Sequence, residues 1–190
     1  MTARLVAWVR GLGARFIERQ IARGVRMSMI EIPRDRDAGH ACLALAVATF
    51  EAGDRGGAET HVRVSLEHDL SNADAHLFLA RLLRARGERT QAASALEQAA
   101  LLSSRPADLW AELGELLHGL GERERAISVL NRSLELDPTQ AEPAVRLGHV
   151  YLDGDEVSAA RQCFEYALRM DGSHIDARCQ LDRIRERDAP

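Results

Sequence analysis

The chain has 190 residues, 46% hydrophobic but only 4% aromatic, with a formal net charge of −4. That length supports one core or a short repeat array, and so few aromatics favour closely packed helices over a sheet. Residues 1–30 carry six arginines against the single acid Glu18, and the remainder is strongly acidic, which excludes the basic face that nucleic-acid binding needs.

Every basic residue is arginine, which reads as codon bias in a GC-rich bacterial genome. Cys42, Cys163 and Cys179 are odd in number and far apart, so neither a disulfide framework nor a zinc site is expected. They read as buried, reduced thiols of a cytoplasmic protein. No apolar run approaches a membrane span, and arginines interrupt any secretory signal.

In chain order, residues 1–30 come first and are split by Gly11-Leu12-Gly13. From 14 to 29, at about 100° per residue, Arg15, Arg19, Arg23 and Arg26 share one stripe, and Ile17, Ile21, Val25 and Met29 the opposite one. Trp8 precedes them. A basic amphipathic helix of this kind suits capping of the first repeat or a homodimer contact, docking on a partner, or peripheral contact with an anionic inner-membrane surface. Residues 31–38 form a connector, because Pro33 discourages helix in the residue before it.

From residue 39 the sequence repeats at an interval of 34, in units 39–72, 73–106, 107–140 and 141–174. Small residues form columns: Ala58, Ala92, Ala126, Ala160; Ala46, Ala80, Gly114, Gly148; Ser65, Ala99, Ser133, Ala167. Large ones interleave: Leu45, Leu79, Leu113, Leu147; Val62, Leu96, Leu130, Phe164. A turn column reads Gly53, Gly87, Gly121 and Asp155, and the apolar spacing on both sides of it is helical. In the third unit this predicts a first helix over 109–120 and a second over 124–136. Two antiparallel helices approach closely only where side chains are small, which accounts for the alanine columns. Residues 175–187 follow as a capping helix, with Ala177, Leu181 and Ile184 as its apolar seam and Arg178, Asp182, Arg185 and Glu186 outward.

This pattern resembles the tetratricopeptide repeat over residues 39–174. The third unit carries Trp110, Leu113, Gly114, Leu117, Gly121, Ala126, Leu130, Ser133 and Pro138 in signature columns, and the fourth Leu147, Gly148, Tyr151, Ala160, Phe164 and Ala167. The departures are Cys42, His76 and Ala144 where an aromatic often opens the first helix, and Leu70, Ser104 and Gly172 in place of the closing proline. In the fourth unit the turn glycine sits one place early, at Gly154. The resemblance implies an all-α, right-handed α-solenoid of helix-turn-helix repeats with a C-terminal capping helix and an N-terminal amphipathic helix.

It further implies a concave surface built from the first helix of each unit, holding a partner peptide or helix. Carried over, that surface holds Leu43, Val47 and Phe50, then Leu77, Arg81 and Arg84, then Glu115 and His118, then Val145, His149 and Leu152. Its first half suits a segment with an apolar anchor beside an acidic group. A variant of the family clamps a C-terminal carboxylate with lysine and asparagine. Here those columns hold Leu43, Val47, Phe78, Asp108 and Glu112, which excludes that function.

No metalloprotease, nucleophile-elbow or phosphate-loop motif is present, so neither enzymatic activity nor a cofactor or metal is expected. Asp153-Gly154-Asp155-Glu156 continues unlike a calcium loop and reads as a solvated turn. Two functions remain open besides the adaptor. One is a chaperone-like holder of a secreted or assembly client; the other is an assembly factor tethered to a membrane surface by the N-terminal helix.

Overall fold

The computed structural model describes residues 36–188, and among them every regular element is an α-helix. The helices divide into two units that part between Arg86 and Gly87, inside the expected repeat 73–106. The helix expected at 14–29 and the face comprising Trp8, Arg15, Arg19, Arg23 and Arg26 lie outside the described residues.

The first unit holds α1 (Arg36–Glu51), α2 (Arg55–His68) and α3 (Ala73–Arg86). Helix α1 begins inside the expected connector. Pro33 restrains only the residue before it, and Asp37 in the first turn complements the helix dipole. The α1–α2 turn uses Gly53 at φ 90°, and Asp54 caps α2 by accepting from the Gly57 amide at 2.8 Å. Ala46, Ala58 and Val62 are fully buried where the two helices touch. Ser65 is buried as well, and its hydroxyl donates to the Gly39 carbonyl at 2.7 Å, so this small residue both admits the neighbouring helix and ties it. At the start of α3, the Asn72 side chain accepts from the Ala75 amide at 3.1 Å.

The second unit holds α4 (Arg89–Leu102), α5 (Pro106–Gly119), α6 (Arg123–Leu136), α7 (Glu142–Asp153), α8 (Val157–Met170) and α9 (Ile175–Asp188). Helix α5 starts earlier than the apolar pattern predicts, because Pro106 is already set for a first helical turn. Ser133 donates to the Ala107 carbonyl at 2.8 Å, repeating in α5–α6 the tie made by Ser65. Gly121 turns the chain at φ 79°. In α7–α8 the left-handed position falls to Asp155 at φ 57°, because Gly154 lies one place early and leaves room for the Arg123 side chain. A Cβ on Gly148 would lie 2.6 Å from the Phe164 ring, so α7 and α8 meet at a distance only glycine allows. Helix α9 closes this core with Ala177, Leu181 and Ile184 buried beside Phe164 and Ala167, while Arg178, Asp182, Arg185 and Glu186 are exposed.

The turns joining one hairpin to the next also repeat. Asp69, Asp137 and Asp171 each accept from the backbone amide and hydroxyl two residues on, at Ser71, Thr139 and Ser173. These bonds, the hydroxyl first and the amide second, hold all three carboxyls below their ordinary value.

The cysteines divide three ways. Burial pushes the Cys42 thiol up, and that of half-buried Cys163 up to about 11. Cys179 corrects the expectation of a buried thiol: it lies off the α9 seam, two residues past Ala177, and is exposed.

Candidate functional site

In the first unit, Leu43 and Val47 on α1 and Leu77 on α3 are half-buried. Phe50 is 39% exposed and meets Phe78 edge to face, with ring centroids 5.9 Å apart. Arg81 and Arg84 are exposed on α3.

In the second unit, α5 and α7 form the walls of a groove of about 540 Å³ that ends at the start of α9. Glu115, His118, Val145 and His149 all line it. Leu152 does not; it faces a separate hollow of about 440 Å³ against Gln180, Arg183 and Ile184 of α9. Val145 contributes to the groove floor. It is only 3% exposed, because α7 packs on neighbours from both sides and buries Pro143, Ala144, Leu147, Gly148 and Val150 as well.

The groove wall is a ladder of polar pairs between successive hairpins. His118 Nε2 meets Asp153 Oδ2 at 2.7 Å, and His149 Nε2 meets Asp176 Oδ2 at 2.7 Å. The two histidines, which lie on neighbouring first helices, are thus each engaged with a carboxylate two helices further on, Asp153 on α7 and Asp176 on α9. His149 also stands edge-on to the Phe164 ring at 5.4 Å. Arg146 is held three ways: it donates to the Ala111 carbonyl at 2.9 Å and to Glu142 at 3.0 Å, and it pairs with Glu115 at 3.2 Å. Burial alone would raise the Asp176 carboxyl. Bonds from His149 and Gln180 outweigh it, and the carboxyl lies below its ordinary value.

Sequence reading missed Arg146, Asp153, His174 and Asp176. His174 meets Glu142 at 3.4 Å. Complementary residues about one repeat apart were the available signal: His118 with Asp153, Glu115 with Arg146, Glu142 with His174. Among the described residues, no group of three or more histidines, cysteines or carboxylates is placed to hold a metal ion.

Among the described residues, the hairpins α1–α2 and α5–α6 are tied by equivalent serine bonds with small residues where their helices touch, the arrangement of an all-α helical repeat. Residues 79–141 match the family model described as tetratricopeptide repeat. Over those residues the chain is similar to the tetratricopeptide repeat. No curated protein matches its sequence. Among solved structures it is similar to MamA, at 23% identity over 76% of this chain and 84% of that one, with a TM-score of 0.69. It is also similar to PilF of Pseudomonas aeruginosa, at 26% identity, 80% and 71% coverage, and a TM-score of 0.64. A third relative in fold is YrrB, described as a TPR protein with an unusual peptide-binding site, at 21% identity, 80% and 78% coverage, and a TM-score of 0.66.

Proposed function

We propose that the protein is a non-catalytic adaptor that holds a segment of another protein against the first helices of its hairpins. The observation that carries this reading is the groove of about 540 Å³ between α5 and α7, within the size range of ligand sites and walled by side chains fixed to one another. Tetratricopeptide repeats are in general protein-interaction modules without catalysis, and the peptide-binding site named for YrrB supports a peptide as the occupant. In the first unit, Leu43, Val47, Phe50 and Leu77 suit an apolar anchor, with the exposed Arg81 and Arg84 suited to an acidic neighbour.

The site of action we infer is the cytoplasm, supported by the unpaired state of Cys42, Cys163 and Cys179. No described helix is long and apolar enough to cross a membrane. The arginine-rich residues 1–30 would add a peripheral membrane or homodimer contact, which liposome flotation and sedimentation with and without that segment test.

The adaptor reading is tested by affinity capture with wild type and with Glu115→Arg/His149→Ala, both folded by circular dichroism. The expected result is loss of at least one captured protein by the variant. Identical sets of captured proteins would overturn it.

A further inference from the structure

We infer that the groove between α5 and α7 selects a cationic segment, one that places arginine or lysine side chains among apolar ones. This deepens the adaptor reading and rests on it. Four carboxylates line the groove, from Glu115, Glu142, Asp153 and Asp176, against the single guanidinium of Arg146. Histidines aside, the lining therefore carries three net negative charges.

The one positive group is already matched inside the wall. Arg146 is fastened to Glu115, Glu142 and the Ala111 carbonyl and is 25% exposed, so an incoming carboxylate would have to displace a bond that exists. The acids have the opposite disposition. The side chains of Glu115 and Asp153 remain 61% and 71% exposed while each keeps one partner, so they present oxygen to the groove without being released from it. A guanidinium arriving there forms charge-assisted bonds, bidentate where a carboxylate lies flat to it. The low-dielectric walls strengthen the attraction over that of the same charges in open water.

The floor supplies the other half of the preference. Gly114, Leu130, Val145 and Val150 form an apolar base between the charged walls. It is smooth at its centre, because Gly114 carries no side chain and Leu130 fills the space beneath it. A segment with small or aliphatic residues between its cationic ones matches both layers. A uniformly charged chain matches only the walls.

The test uses the full chain and three fluorescent peptides of one length: Ala-Leu-Arg repeated three times, the same with glutamate for arginine, and the same with glutamine. Fluorescence anisotropy is read for wild type and for Glu115→Gln/Asp153→Asn, two exposed substitutions that keep hydrogen-bonding groups in place. The arginine peptide is expected to bind wild type and to weaken about tenfold in the variant, and again as salt rises. Binding of the glutamate or glutamine peptide at equal strength, sensitive to the same substitutions, would overturn the charge preference and leave the groove reading standing. Failure of all three peptides to bind wild type would overturn both.

Discussion

Ala126 has no exposed surface where α5 and α6 meet, so a leucine there must push the two backbones apart. Ala126→Leu is expected to lower stability by roughly 1–3 kcal/mol in urea unfolding, and an unchanged midpoint would contradict the packing. Gly121 tests a different physical cause. A Cβ there meets no atom within 4 Å, but the residue stands at φ 79°. Gly121→Ala is therefore expected to cost about 1 kcal/mol through the backbone alone. The turn aspartates make a prediction about acid. Their folded carboxyls titrate below the ordinary 3.8, so their contribution is complete above that value and is lost as pH falls through the lowered one. Replacing Asp69, Asp137 and Asp171 together by asparagine should flatten the fall of melting temperature below about pH 4. An equally steep fall would assign acid sensitivity elsewhere.

The hairpins were legible at the scale of elements because one interval fixes three things together: the glycine that turns, the small residue that lets helices touch, and the leucine beside it. Gly121, Ala126 and Leu130 illustrate all three in one hairpin. The seam of α9 was legible for the same reason, since Ala177, Leu181 and Ile184 repeat at helical spacing. The groove wall was only half legible. His118 and His149 were found by column, but their partners Asp153 and Asp176 lie at helix ends, where column logic assigns no face. That Val145 lies deep in the groove floor was not legible, because the number of neighbours α7 would have cannot be read from its own pattern. Helix α9 carries a prediction at this scale. Removing residues 175–190 uncovers Phe164 and Ala167, so the truncated chain should bind a hydrophobic dye and lose melting temperature. A truncated chain that melts with the parent and leaves the dye dark would contradict its role as a cap.

At the scale of the whole molecule, the proposed function rests on the groove between α5 and α7. That groove is walled by residues that already satisfy one another. Such a wall is pre-formed, so binding should leave the helices as they are and perturb mainly the side that faces the occupant. The most direct measurement is amide chemical-shift mapping of the full chain with a captured partner segment. The account predicts that the largest shifts fall on α5, α7 and the first turn of α9, around Glu115, His149 and Asp176. Shifts confined to the outward faces of α6 and α8, with those residues unmoved, would contradict it.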